Sequence, residues 1–100
     1  MQIIPIVDTD SQTLNVQLAE QSVKLNLYQT AGQGFYCDVY VNDAIIIGGV
    51  LCEDRNKIVR DTYRGFVGDL MFVDEQGTSD PSSPGLGTRY LLYYLEASDL

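Results

Sequence analysis

Apolar and polar side chains alternate with period two along most of the chain, the pattern of strands that put one face on a core and the other in water. Ile3, Ile4, Ile6 and Val7 open it as a short strand broken by Pro5, which withholds a ladder hydrogen bond and so suits an edge. Asp8-Thr9-Asp10-Ser11 is a turn cluster. Leu14, Val16 and Leu18 then alternate with Asn15 and Gln17, and Val23, Leu25 and Leu27 alternate with Lys24 and Asn26. Ala19-Glu20-Gln21-Ser22 between these runs leaves room only for a hairpin connection. After a turn at Ala31-Gly32-Gln33-Gly34, the next strand puts Phe35, Cys37, Val39 and Val41 on one face and Tyr36, Asp38 and Tyr40 on the other. Asn42-Asp43 reads as a tight hairpin turn. The strand after it, 44–51, is too apolar for a solvated face, and Gly48-Gly49 marks either a bulge or a close backbone approach. Segments 66–73 and 88–96 read as the sixth and seventh strands.

Two stretches break the alternation. Residues 52–65 carry Arg55, Lys57, Arg60 and Arg64, four of the six bases, with Ile58, Val59 and Tyr63 interleaved. Periodicity does not decide between a helical turn and a short extra strand there, so this segment is a short irregular or helical insertion. Residues 75–87 hold eight Gly, Ser or Pro among thirteen and a single apolar side chain, Leu86, which predicts a long mobile loop of the kind that is functional or disordered. Together these signals predict one all-β domain over residues 1–100, a small antiparallel β-sandwich or barrel of six to seven strands.

Charge and composition narrow the function classes. One hundred residues suffice for a single core. Fourteen acids against six bases give a net charge of −8, which opposes nucleic-acid contact and docking on anionic membranes. No apolar run approaches a membrane span, so no membrane insertion is expected, and no basic residue precedes Lys24, so no charged leader is read. The chain has no histidine, the side chain best suited to proton transfer near neutral pH and the commonest metal ligand. Cys37 and Cys52 are too few for a disulfide scaffold and read as reduced, buried thiols. Asp8-Thr9-Asp10 begins like a calcium loop, but Thr13 stands where its glycine belongs and Ala19 where its closing acid belongs. Gly32-Gln33-Gly34 and Gly85-Leu86-Gly87 lack the third glycine and helix of a dinucleotide site. A hydrolase would need two of Asp38, Asp43, Asp69 and Asp74 to meet in space. No catalytic, metal or cofactor-binding residue is assigned, and the chain reads as a non-enzyme.

The seven tyrosines and the basic cluster carry what remains. Tyr36 and Tyr40 lie opposite the core face of their strand. In the last strand Tyr90, Leu92 and Tyr94 share one face while Leu91, Tyr93 and Leu95 share the other, so both faces need burial, inside the domain or against a partner. Arg55, Lys57, Arg60 and Arg64 either make surface ion pairs with Glu53, Asp54 and Asp61 or form a basic patch that meets the acidic surface of an identical subunit. The candidate protein-interface residues are therefore Tyr36, Tyr40, Arg55, Lys57, Arg60, Arg64, Tyr90 and Tyr94.

Nearly the whole chain resembles the small baseplate plug proteins of contractile-tailed bacteriophages. The resemblance is carried by Ile3-Ile4-Pro5-Ile6, the paired strands after it, 34–40 (Gly-Phe-Tyr-Cys-Asp-Val-Tyr), Gly49-Val50-Leu51, Phe66-Val67-Gly68-Asp69-Leu70, the Pro/Ser loop and 86–95 (Leu-Gly-Thr-Arg-Tyr-Leu-Leu-Tyr-Tyr-Leu). It implies a structural virion protein made in the host bacterial cytoplasm and built into the tail baseplate, with a β-domain akin to the tail-tube fold. Its implied partners are copies of itself in a hexameric ring, the baseplate hub, the tail tube and neighbouring baseplate proteins. The basic 55–64 segment departs from the family pattern. The alternative reading is a small β-barrel that binds carbohydrate or cell wall, with Tyr36, Tyr40 and Tyr94 stacking on sugar rings.

Overall fold

The computed structural model describes residues 2–30, 34–60, 66–82 and 84–99. Within them the chain forms strands β1 (Gln2–Ile4), β2 (Ser11–Leu18), β3 (Gln21–Thr30), β4 (Gly34–Val41), β5 (Ala44–Leu51), β6 (Asp69–Asp74) and β7 (Tyr90–Leu95), followed by one 3-10 turn, Ala97–Asp99. They make two antiparallel sheets, ordered β2-β3-β4-β5 and β1-β7-β6. The sheets face each other across one apolar core, where the Phe35 ring of β4 meets the Phe72 ring of β6 edge-on at 5.9 Å. The period-two pattern becomes alternate burial: Val23, Leu25, Leu27, Phe35, Cys37 and Val39 point inward, and their neighbours in β3 and β4 face outward.

Several boundaries differ from the sequence reading, each for a local reason. The sixth strand starts at Asp69 rather than 66, because Gly68 is left-handed (φ 88) and the Val67 carbonyl is taken by the Gln21 amide at 3.2 Å and by the Tyr94 hydroxyl. The seventh starts at Tyr90 rather than 88, because the Gly85 carbonyl gathers the N–H groups of Thr88, Arg89 and Tyr90 into a tight turn. Residues 52–60 form neither a helix nor a continuous strand. Single bridges join Asp54 to Phe72 and Lys57 to Met71, so the segment lies along the outer edge of β6. Residues 61–65, with Tyr63 and Arg64, lie outside the described residues.

Two buried carboxylates hold this side of the molecule. Asp69 accepts the N–H groups of Ile58 (3.2 Å), Val59 (2.8 Å), Arg60 (2.8 Å) and Leu70 (2.7 Å), which pins the irregular segment to the start of β6. Asp74 receives the Arg89 guanidinium through two 2.9 Å bonds and the N–H groups of Gln76 and Ser79. The guanidinium, helped by those two N–H groups, holds the Asp74 carboxyl well below the ordinary carboxylate range. The described part of the 75–87 loop is therefore tied down rather than free: Asp80 accepts the Asp54 N–H at 3.0 Å, and Pro81 and Leu86 are buried. Cys37 and Cys52 are free thiols in the core, and the hydrogen bond that the Cys37 thiol shares with Cys52, followed by burial, pushes the Cys37 thiol up.

Candidate assembly surfaces

The outward face of the four-stranded sheet gathers most of the aromatic side chains that are not in the core. Tyr28 pairs with Tyr36 across β3 and β4, their rings stacked at 6.0 Å and 16°. One register step along, Asn26 faces Asp38, and at the next Lys24 faces Tyr40, with the Lys24 ammonium 4.3 Å from the ring centre. The Asp38 carboxylate joins the rows by accepting the Tyr28 hydroxyl at 3.0 Å and the Gly49 N–H at 2.7 Å. Burial, and then the Asp38 carboxylate beside it, raises the Tyr28 phenol above its ordinary value.

Strand β5 borders this face and is an open edge of its sheet. Ile45 pairs with Tyr40 and Leu51 with Tyr36, so both stand on the outer face beside the tyrosines, 59% and 41% exposed. None of the eight residues of β5 is charged. Its register shifts twice: Gly48 and Gly49 together oppose Asp38, and Ile46 is extra between the partners of Val39 and Tyr40. The first shift is the bulge that Gly48-Gly49 suggested, with Gly49 left-handed at φ 63. The second turns both Ile46 and Ile47 toward the core, which is how a strand with three consecutive isoleucines keeps only Ile45 in water. Bulges bend an edge away from indiscriminate pairing, so contact at β5 favours a partner shaped to it.

A second surface runs down the β6 edge. Arg55, Lys57 and Arg60 are exposed and, with Glu53 and Asn56, line a shallow depression of about 460 Å³. Arg55 bonds Asp54 at 2.5 Å and the Gly77 carbonyl at 3.2 Å, and the Arg60 Nε donates to the Lys57 carbonyl at 2.6 Å.

The structure separates the residues that the sequence grouped. Tyr36 and Tyr40 share the outer face of the larger sheet, and Arg55, Lys57 and Arg60 share the β6 edge; Arg64 lies outside the described residues. Tyr90 and Tyr94 are not on a surface: they are 5% and 1% exposed, and Tyr94 packs edge-on against Phe66 at 6.1 Å. They point inward with Leu92, so the outward side of β7 belongs to Leu91 and Tyr93, beside Ile3, Met71 and Val73. Core burial of Tyr94 also removes it from the sugar-stacking set. Asp38, Asp43, Asp69 and Asp74 are distributed over the outer face, a turn and two separate anchoring roles, without forming a paired site. The Lys24–Tyr40 and Tyr28–Tyr36 contacts were missed from sequence; their signal lay in the hairpin register, which sets each of these residues opposite its partner.

A family model described as the cyanophage baseplate Pam3 plug gp18 matches residues 1–97. The chain belongs to this baseplate plug family. No curated protein matches it. Baseplate plugs are structural components of the virion tail baseplate, and membership of this family implies interaction with other baseplate components.

Proposed function

We propose that this baseplate plug works as a non-enzymatic assembly subunit, packing against copies of itself in a hexameric ring and against the hub, tail tube and neighbouring baseplate proteins. The observation that carries the reading is the uncharged, twice-bulged β5 edge, whose Ile45 and Leu51 extend the Tyr36 and Tyr40 face into water. The bulges limit pairing with unrelated strands, but the edge lacks the charge that also guards solitary domains, and a neighbouring subunit would cover the Ile45 and Leu51 side chains it leaves in water. Tyr36, Tyr40, Arg55, Lys57, Arg60 and Arg64 are the proposed contact residues; Tyr90 and Tyr94, buried in the core, are not among them. Multi-angle light scattering of the full chain, alone and mixed with hub and tube proteins, tests this. The expected result is a defined ring or a complex with those proteins, weakened by Ile45→Asp. A chain that stays monomeric in both settings and instead binds glycans through Tyr36 and Tyr40 overturns it.

A further inference from the structure

The two hairpin turns at one end of the four-stranded sheet each carry an acid. Ala19-Glu20 joins β2 to β3 and Asn42-Asp43 joins β4 to β5, and all four residues have positive φ (50, 65, 51 and 67). Two-residue turns of this hand favour glycine, asparagine and aspartate, because left-handed backbone costs most other residues about 1–2 kcal/mol each. Both turns set an acid at the second position. The hairpins stand side by side, the Asn42 N–H donating to the Ser22 carbonyl at 2.9 Å. Glu20 and Asp43 are exposed, and neither carboxylate makes a hydrogen bond or ion pair among the described residues.

The cations are equally uneven. Of the two bases outside 55–64, Lys24 sits over Tyr40 and Arg89 is bound to Asp74. The acids on the β6-edge strip are engaged internally, Glu53 by Asn56, and Asp54 by Arg55 and the Asp74 N–H. Lys57 has no side-chain partner among the described residues, and Arg60 commits only its Nε within them. Among the described residues, an acidic chain thus has Lys57 and most of the Arg60 guanidinium uncommitted at one depression, and two uncommitted carboxylates at one end of the larger sheet.

We propose that the Glu20/Asp43 hairpin end of one copy seats on the Arg55–Lys57–Arg60 strip of the next, a head-to-side contact that repeats around a closed assembly. This rests on the self-association proposed above and names the electrostatic part of it. Because the two surfaces differ, the contact is heterologous, and charge complementarity selects its register and direction.

The test uses two full-length variants: Glu20→Lys with Asp43→Lys, reversing the tip, and Lys57→Glu with Arg60→Glu, reversing the strip. Each alone is expected to need at least about tenfold more protein for half-assembly by light scattering. An equimolar mixture is expected to recover the wild-type mass, since reversed tips then meet reversed strips. Wild-type assembly is expected to weaken between 0.15 M and 1 M salt, as the screening length falls from about 8 to about 3 Å. Near-ultraviolet circular dichroism checks folding; should a reversed variant unfold, Glu20→Gln with Asp43→Gln replaces it and is expected to flatten the salt dependence. Wild-type assembly by either variant alone, a mixture that stays dissociated, or an unchanged salt dependence in the glutamine variant overturns the inference and leaves self-association standing. A wild-type chain that never self-associates removes both.

Discussion

In the four-stranded sheet every strand pairs with its neighbour in sequence, whereas the three-stranded sheet sets Gln2 beside Tyr94 and Asp69 beside Leu95. Hairpins close short loops, so the larger sheet gains its ladder at low entropic cost; the smaller must bring the two ends of the described chain together first. The two sheets are finished differently as a result. The larger has regular ladders on β3 and spends its irregularity on the β5 edge, where two bulges leave Ile45 and Leu51 outward. The smaller is braced by irregular backbone gathered onto Asp69 and Asp74, and its β6 edge is covered by residues 54–58. One sheet has freedom at its border, and the other depends on fixed points.

Glycine substitutions give the sharpest test of that contrast. A Cβ on Gly68, ahead of β6, would lie 2.3 Å from the Leu95 carbonyl oxygen and 2.7 Å from the Tyr94 hydroxyl, at φ 88. A Cβ on Gly49, in the β5 bulge, meets nothing within 4 Å at φ 63. Gly68→Ala is therefore expected to destabilise by about 3 kcal/mol or more, combining left-handed strain with a backbone collision, and Gly49→Ala by only about 1 kcal/mol from the strain alone. Urea unfolding measures both. Equal losses would mean that the edge of the larger sheet is as tightly determined as the join of the smaller one.

Acid acts on the fixed points as a group. The folded Asp74 carboxyl is held well below its ordinary value, first by Arg89 and also by the Ser79 and Gln76 N–H groups, so folding favours its charged form. Its contribution is complete above the unfolded aspartate value of about 3.9 and is lost as pH falls below that toward the depressed folded value. Stability measured by urea at pH 7, 4 and 2.5 is expected to drop mainly across the lowest interval, with a shallower drop in Asp74→Asn. An Asp74→Asn chain with the wild-type pH slope would assign the acid sensitivity elsewhere.

How much of this was legible in the sequence follows the same division. The hairpins of the larger sheet and the Asn42-Asp43 turn are readable because period-two burial and turn chemistry are local, whereas Gly48-Gly49 leaves a bulge and a close backbone approach open until the register is seen. The segment at 52–60 was not, since its shape is decided by Asp69, eleven residues beyond Ile58. The 75–87 loop looked mobile because its composition says nothing of an Asp74 carboxylate and an Asp54 N–H waiting to receive it. Tyr90 and Tyr94 were misplaced for a related reason. Both faces of β7 are apolar, and alternation alone does not say which one meets the other sheet. Tyr36 and Tyr40 were placed on the outer face because Phe35, Cys37 and Val39 left no doubt about the inner one.

The smallest expected effect separates stability from assembly on the outer face of the larger sheet. Tyr28→Phe removes the 3.0 Å hydrogen bond to Asp38, while Asp38 keeps the Gly49 N–H and the stack on Tyr36 is preserved. The expected loss is about 0.5–1 kcal/mol, that of one partly solvated hydrogen bond. The raised Tyr28 phenol adds a sign: its neutral form is favoured by folding, so its contribution is complete below the unfolded tyrosine value of about 10 and is lost as pH rises through the higher folded value. Tyr28→Phe is expected to lose stability less steeply above pH 10 than the wild type. The assembled mass of the same variant is expected to fall together with that small loss of stability, because the Asp38 carboxylate no longer fixes the Tyr28 ring on the face offered to a neighbour; an assembled mass equal to that of the wild type would restrict the hydroxyl to folding.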